Sequence, residues 1–223
     1  LRKKDAAAII LAGGKAKRLA DKRPLGGKAE CIIGGKSLLS IVSGALVPVA
    51  RLILVVGGEL PKVSSQELVP IRHIPDHQPG SGPLAAVRDG LRWIWHEHSR
   101  SLPQFVILSA CDLPSIKPSL VSEMVDRFPQ DELSTRWVIP EVGKRLQYLF
   151  SVCRPTILQP LDSFFAAGGR DFRSFVQYLQ EHESTSIHVI SDAIWRTIDP
   201  NAHAGSDIDT PADLALYSGD ASH

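Results

Sequence analysis

Short apolar runs alternate with longer amphipathic stretches along most of this chain. Most of these runs are continuously apolar, which is typical of strands that are buried on both faces of a sheet. They predict strands over residues 7–11, 52–56, 105–109, 137–139, 149–153 and 187–190. The stretches between them predict helices over residues 37–47, 83–95, 119–128, 155–165, 172–180 and 211–217. The polar segments 129–136 and 199–206 are predicted to be loops.

The alternation of strands and helices predicts an α/β fold, in which helices cover both faces of a mainly parallel sheet. The chain has 223 residues and a hydrophobic share of 43%. Because it shows no strong linker and no internal repeat, we expect a single domain over residues 1–223. Ligands of such sheets bind beyond the carboxyl ends of the strands. The residues that follow the predicted strands are therefore the first candidates for a functional site.

Two glycines and three cations follow the first predicted strand directly. Gly13 and Gly14 allow a phosphate to approach the backbone closely, and consecutive N–H groups in such a turn can form a nest for an anion. Lys15, Lys17 and Arg18 add positive charge beside this turn. The spacing matches neither the dinucleotide-binding fingerprint nor the P-loop. Two interpretations remain open here: a cradle for a triphosphate, and an ordinary tight turn with a solvated basic face.

Net charge and cysteine spacing argue against several classes of protein. A net charge of +1 does not favour a general nucleic-acid-binding protein, which usually carries a basic excess. The 3 cysteines show no C-x-x-C spacing, so we expect neither a zinc site nor a disulfide framework, and predict a reducing, cytoplasmic location. No apolar run reaches the ~18 residues of a membrane span, and the N-terminus lacks a signal-peptide pattern. No membrane partner is therefore expected.

Five separated motifs occur in an order that points to one group of enzymes. They are residues 11–18, Lys28 with residues 35–38, residues 82–86, residues 111–114 and residues 207–214. With these motifs the chain resembles the nucleotidyltransferases that attach a nucleotide to sugars and cofactors. It is most similar to the molybdenum cofactor guanylyltransferases (MobA-like), which join GMP from GTP to molybdopterin. The resemblance implies a Rossmann-like three-layer sandwich of the nucleotide-diphospho-sugar transferase type, a Mg²⁺ ion, and GTP and molybdopterin as substrates.

Three acidic residues are candidates for the metal site. Asp112 lies between the predicted strand 105–109 and Pro114, and Mg²⁺ typically takes one or two protein carboxylates together with phosphate oxygens. The resemblance implies that Asp112 is the family's metal aspartate; the alternative is an aspartate that starts a turn before a proline. Asp207 and Asp209 face one side of an extended segment. Asp209 is the favoured second ligand and Asp207 an additional candidate, while either can instead assist the start of the last helix.

Lys28 is the candidate for the lysine that neutralises the triphosphate. The resemblance implies this position by counting back from the motif at residues 35–38, which makes residues 21–26 an insertion. The pair Asp21-Lys22 is an earlier alternative, and either lysine can also be an ordinary solvated charge. The predicted catalytic residues are Arg18, Lys28 and Asp112.

The nucleotide and acceptor sites are predicted from the same resemblance. Asp76 lies near the place of an aspartate that helps to hold the nucleotide, although its proline-rich segment also fits a surface loop. The predicted nucleotide-binding residues are Leu11, Ala12, Gly13, Gly14, Lys15, Lys28, Asp76 and Asp112. Gln147 and Tyr148 lie where related sequences border the acceptor pocket, and are candidates for contact with the pterin. Arg170 and Arg173 are candidates for the acceptor phosphate, with ordinary surface arginines as the alternative.

Other activities fit parts of the same pattern. Residues 12–14 and 111–114 resemble the guanylyl branch more than the cytidylyl branch, but a cytidylyltransferase, or a phospholactate or sugar phosphate as acceptor, uses the same chemistry. The altered loop at residues 19–27, with Ala20 in place of a family glycine, instead favours a non-catalytic accessory protein that binds a nucleotide or the cofactor. Expected protein partners are those that deliver or receive the cofactor, and the expected assembly is a monomer or weak homo-oligomer.

Overall fold

The computed structural model describes residues 6–13, 27–58, 69–128, 134–183, 186–201, 203–210, 212–214 and 217. Its strands are β1 (Ala6–Leu11), β2 (Ile32–Ile33), β3 (Lys36–Ser37), β4 (Ile53–Val56), β5 (Ile71–Ile74), β6 (Phe105–Ala110), β7 (Trp137–Val142), β8 (Arg145–Leu146), β9 (Phe150–Cys153) and β10 (Ile187–Ile190). Its α-helices are α1 (Leu38–Leu46), α2 (Pro83–Glu97), α3 (Pro118–Asp126), α4 (Leu158–Ala166), α5 (Phe172–His182) and α6 (Asp192–Ile198). None of these described helices combines the length and the apolar character that crossing a membrane would require.

The central sheet has the strand order β10-β7-β9-β6-β1-β4-β5, and β8 pairs with the end of β7. β1 lies between β4 and β6 and is parallel to both. β9 runs antiparallel to its neighbours β6 and β7, which makes the sheet mixed but mainly parallel. Because β1, β4 and β6 point the same way, their carboxyl ends meet at one edge, and this edge is where a ligand of such a sheet binds.

Helices cover both faces of the sheet, as the sequence predicts. Successive side chains of a strand point to opposite faces, so Ala8 and Ile10 of β1 join one buried cluster with α1, α3 and α6, while Ile9 and Leu11 join another with α2, α4 and α5. The close approach of α2 depends on Gly90, where an added Cβ would come within 2.9 Å of the Ile9 side chain. The molecule is therefore the expected three-layer α/β sandwich.

The six predicted strands are all confirmed, and the structure adds elements that the apolar pattern did not indicate. β5 is an edge strand with the sequence I-R-H-I, and its half-exposed side chains interrupt the apolar run. The hairpin of β2 and β3 has only two residues in each strand, and α6 has only seven residues. Within the predicted loop 199–206, His203–Gly205 forms a 3₁₀ turn. Periodicity is informative only over longer segments than these.

Candidate active site

A cavity of about 460 Å³ opens at the carboxyl edge of β1, β4 and β6. Leu11 and Gly13 line it from β1, Val56 from β4, and Ala110 from β6. The helix α2 contributes Pro83 at its first turn. This is the position expected for a ligand of a mainly parallel sheet, beyond the carboxyl ends of its strands.

Backbone hydrogen bonds hold the end of β1 between its two neighbours. The N–H of Ala12 donates to the carbonyl of Val56 at 2.9 Å, and the N–H of Cys111 donates to the carbonyl of Leu11 at 3.0 Å. The first glycine motif and the Asp112 motif are therefore joined directly, because β1 and β6 are adjacent. The fixed backbone of residues 11–13 then forms one wall of the cavity.

A turn of two glycines supports that wall from behind. Gly57 and Gly58 follow β4 with φ angles of 71° and 69°, which strongly favour glycine. A Cβ on Gly58 would lie 2.7 Å from the carbonyl oxygen of Ala12. Nε2 of His73 lies 3.0 Å from the carbonyl oxygen of Gly58 and donates to it. These residues were not predicted as part of the site, although paired glycines after a strand are a signal for a close backbone approach.

Asp76 lies on the cavity wall beside Gly13. Its Oδ1 accepts a hydrogen bond from the N–H of Gln78 at 3.0 Å, which fixes the carboxylate at the start of a turn. A Cβ added at Gly13 would lie 3.9 Å from Asp76 Oδ2. The structure thus brings together two predicted nucleotide-binding residues that are far apart in the sequence.

Lys28 joins the two acidic motifs at the other side of the cavity. Its Nζ lies 2.7 Å from Asp112 Oδ2 and also contacts Asp209 Oδ1. The Lys28 and Asp112 side chains are mostly buried, at 13% and 14% exposure. Lys28 opens a 3₁₀ turn after Gly27, whose φ of 82° redirects the chain into the site. The structure therefore brings Lys28, Asp112 and Asp209 together as a charged cluster.

Both ion pairs keep Lys28 in its charged form. Burial alone would lower the pKa of the Lys28 ammonium group, but the hydrogen bonds and negative charges of Asp112 and Asp209 outweigh it, so the pKa is raised. Lys28 is therefore a fixed cation at the cavity edge at neutral pH.

A third carboxylate completes the cluster. Ligand oxygens of Asp112, Asp207 and Asp209 all lie within 4.8 Å of one another. Burial, followed by the charges of Asp209 and Asp112, raises the pKa of Asp207, as expected where like charges crowd together. A compact set of carboxylate oxygens is the donor set that Mg²⁺ prefers, so the residues present fit such an ion.

The backbone of this cluster is held by a cap that precedes the helical residues 212–214. Asp213 Oδ2 accepts hydrogen bonds from the N–H groups of Asp209 at 3.0 Å and Thr210 at 2.7 Å, and from the Thr210 hydroxyl. The N–H of Asp213 donates back to Thr210 Oγ1 at 3.2 Å. The N–H of Ile208 donates to the carbonyl of Asp112 at 3.0 Å. The reciprocal T-x-x-D pattern that marks this cap can be recognised in the sequence. The hydrogen bond that joins Ile208 to Asp112 cannot.

Asp213→Ala is expected to lower the melting temperature at pH 7, because it removes three hydrogen bonds at one carboxylate. Those bonds lower the pKa of Asp213, so its stabilising effect is present above the pKa of an unfolded aspartate and is lost as the pH falls through the folded value. The difference between variant and parent should therefore shrink towards acid pH in thermal unfolding followed by circular dichroism. Asp126→Ala, at an exposed position in α3, is the control; an equal drop in both variants would contradict the role given to Asp213.

The predicted acceptor residues lie outside the cavity wall, which Leu149 lines instead. The Tyr148 ring stacks on Phe172 with ring centroids 5.0 Å apart. Arg170 Nη1 donates to the carbonyl of Phe165 at 2.9 Å, and Gln147 donates to the carbonyl of Arg145. Their side chains are thus engaged in the fold around β9 and α4. Contact with an acceptor remains a prediction for all three.

Part of the predicted phosphate loop lies outside the described residues. This applies to Gly14, Lys15, Lys17, Arg18 and the segment 20–26, which includes Lys22. Their predicted roles rest on the sequence.

The fold and the site define a class of enzyme. A cavity at the carboxyl edge of a mainly parallel sheet, lined by Lys28 and Asp112 with two further carboxylates close to Asp112, is typical of a nucleotidyltransferase that works on a metal-bound triphosphate. Residues 8–185 match the MobA-like NTP transferase domain, and the chain belongs to this family of nucleotidyltransferases.

Two relatives illustrate the family. The chain is 32% identical over 212 residues to a probable molybdenum cofactor guanylyltransferase of Chloroflexus aggregans, covering 93% of this chain and 91% of the relative. It is also 32% identical over 174 residues to a protein of the same name from Mycobacterium avium, covering 76% and 80%. The family resemblance read from the five motifs is therefore confirmed.

Solved structures share the fold. Molybdopterin-guanine dinucleotide biosynthesis protein A from Archaeoglobus fulgidus superimposes with a TM-score of 0.67 at 18% identity, covering 96% of this chain and 97% of that one. A 4-diphosphocytidyl-2C-methyl-D-erythritol synthase from Anaerococcus prevotii gives a TM-score of 0.67 at 12% identity, covering 96% and 94%. The expected fold of the nucleotide-diphospho-sugar transferase type is confirmed.

Proposed function

We propose that this protein transfers GMP from GTP to molybdopterin and releases pyrophosphate, with Mg²⁺ as the cofactor. The observation that carries the proposal is that Lys28 and Asp112 line the 460 Å³ cavity together, while Lys28 also contacts Asp209. The guanylyl donor and the molybdopterin acceptor are taken from the names of relatives that align over most of the chain. We further propose that residues 1–223 act as a single domain in the cytoplasm.

The cavity suits a nucleotide in size and in the distribution of charge. Its volume of about 460 Å³ lies within the range of roughly 300–1,000 Å³ that is usual for small-molecule sites. The base is proposed to lie along the backbone of Leu11 and Gly13, and the triphosphate towards Lys28. Asp76 stands on the same wall and is proposed to help hold the nucleoside.

Asp112 and Asp209 are proposed to hold Mg²⁺, with Asp207 as the third oxygen donor of the cluster. The ion would supply neutralisation of the triphosphate charge. Lys28 adds a further positive charge on the same side of the cavity. In transfer of this kind, catalysis consists mainly of positioning and charge neutralisation.

No side-chain nucleophile is required by the proposed reaction. A phosphate oxygen of molybdopterin attacks the α-phosphorus in line, a new phosphorus–oxygen bond forms, and the bond to the bridging oxygen of the β-phosphate breaks. The electron pair leaves with pyrophosphate. Cys111, which precedes Asp112, is buried, and burial raises the pKa of its thiol, so it is unsuited to attack.

Pyrophosphate release is expected to require GTP, molybdopterin and Mg²⁺ together. Each of GTP, CTP, ATP and UTP is tested as the donor with the same acceptor, and thermal shift with each nucleotide reports binding separately, because a ligand of the folded state raises the melting temperature. Turnover and a thermal shift with GTP would support the proposal. Turnover with CTP alone would assign the protein to the cytidylyl branch. The proposal would be overturned if no nucleotide gave either turnover or a thermal shift.

A further inference from the structure

Lys28 occupies the position between the two carboxylates that the proposed function assigns to the metal. Its ammonium group contacts Asp112 Oδ2 and Asp209 Oδ1 at once. The Lys28 and Asp112 side chains are mostly buried, and the Asp209 side chain is 31% exposed. Lys28 is therefore the counter-ion of two of the three carboxylates that would bind a divalent cation.

We propose that Lys28 and the divalent cation compete for Asp112 and Asp209, so that the metal binds tightly only when a triphosphate gives Lys28 another partner. This inference rests on the proposed function and adds an order of events to it. The exchange moves one lysine side chain from the carboxylates to the phosphates. Lys28 already lines the cavity that is proposed to hold the nucleotide.

The reason for the competition is the spacing of the charges. Mg²⁺ binds oxygen ligands at about 2.0–2.1 Å and keeps several bound waters, while the ammonium group lies 2.7 Å from Asp112 Oδ2. An ammonium group and a divalent cation on the same two carboxylates would repel each other at short range, so each lowers the affinity of the site for the other. Asp207 remains beside the pair and adds attraction for a doubly charged ion over a singly charged one.

The exchange couples the binding of metal and nucleotide. A triphosphate stabilises Lys28 away from the carboxylates and so raises their affinity for the cation. By thermodynamic reciprocity, the cation raises the affinity for the nucleotide by the same factor. An enzyme built in this way would avoid holding a metal ion in the absence of its substrate.

The test measures Mn²⁺ binding to the nucleotide-free protein by electron paramagnetic resonance, with Mn²⁺ as a probe that favours the same oxygen ligands. Lys28→Met is expected to bind Mn²⁺ about 5- to 150-fold more tightly than the parent protein, which is the usual range for coupled sites. Lys28→Arg keeps the positive charge and is expected to bind Mn²⁺ weakly, like the parent. Lys36→Met, at an exposed lysine of β3, is the matched control and should not change the affinity.

A second measurement concerns the coupling itself. Calorimetry of GTP binding with and without Mg²⁺ is expected to show a larger effect of the metal in the parent protein than in Lys28→Met, because only the parent must release its lysine. Lys28→Gln serves in place of Lys28→Met if circular dichroism shows that the methionine variant is unfolded.

The results separate this inference from the proposed function. Equal or weaker Mn²⁺ binding by a folded Lys28→Met or Lys28→Gln would overturn the competition. The Mn²⁺ measurement contains no nucleotide, so its result does not depend on which nucleotide is the donor. Tighter Mn²⁺ binding together with no binding of GTP would support the competition and contradict the proposed donor.

Discussion

Asp112→Asn is expected to lower kcat by at least about 100-fold, the usual effect of removing a group that acts on transition-state charge. The substitution keeps the size of the side chain but removes a negative charge from the centre of the cluster. Lys28 loses the negative charge of the partner that lies 2.7 Å away, and the carboxylate proposed as the first metal ligand becomes a neutral amide. Asp209 and Asp207 remain, so some metal binding is expected to persist while positioning of the triphosphate is lost.

The measurement is pyrophosphate release at saturating GTP and acceptor over a series of Mg²⁺ concentrations. Asp126→Asn, at an exposed position on α3, is the control and should keep parental activity. Raising Mg²⁺ is expected to recover only part of the loss, because the charge of Asp112 also fixes Lys28. Near-normal turnover of Asp112→Asn at ordinary Mg²⁺ concentrations would refute the role given to this residue.

Gly58→Ala is expected to destabilise the protein and to weaken nucleotide binding together. The residue has a φ of 69°, which costs a residue with a side chain about 1–2 kcal/mol. Its new Cβ would meet the Ala12 carbonyl oxygen at 2.7 Å, and overpacking of this kind costs about 1–3 kcal/mol. We therefore expect a loss of about 2–5 kcal/mol and a fall in melting temperature of roughly 4–20 °C.

The effect on binding follows from the position of Ala12. Its backbone carries Gly13 at the cavity wall, so a shift at the glycine turn changes the surface that is proposed to meet the base. Thermal unfolding and GTP binding by calorimetry measure the two effects. Gly44→Ala is the matched control, because Gly44 lies inside α1 with nothing within 4 Å of an added Cβ; it is expected to stabilise by up to about 1 kcal/mol. A parental melting temperature for Gly58→Ala would contradict the close approach of these two segments.

The local pattern of the sequence was sufficient for the regular elements of the sheet. The continuous apolar runs that form β1, β4 and β6 indicate burial on both faces of the sheet. Because parallel strands end at the same edge of a sheet, Gly13 and Asp112 were then expected at one edge. The motif order also identified the family. Apolar runs and motif order are properties of short segments of the chain, so they can be recognised in the sequence alone.

The choice between Lys22 and Lys28 is a different matter. The family resemblance favoured Lys28 by counting back from the motif at residues 35–38, and the structure shows which side chains Lys28 meets. Lys28 contacts Asp112 and Asp209, which lie 84 and 181 residues away along the chain. No local pattern encodes such a contact. Lys22 itself lies outside the described residues.

The sequence by itself determined the class of fold and the edge of the sheet at which a ligand is expected, because strand burial and glycine turns are local properties. Asp112 and Asp209 became candidates through their motifs and the family that these motifs resemble. Only the tertiary structure decided that Asp213 and Ile208 fix the acidic segment against Asp112. It also decided that Gly58 supports the cavity wall formed by residues 11–13, and that the Tyr148 and Arg170 side chains contact their own neighbours in the fold. The physical reason is that charge pairing and close packing act between segments far apart in the chain, at distances that only the folded backbone sets.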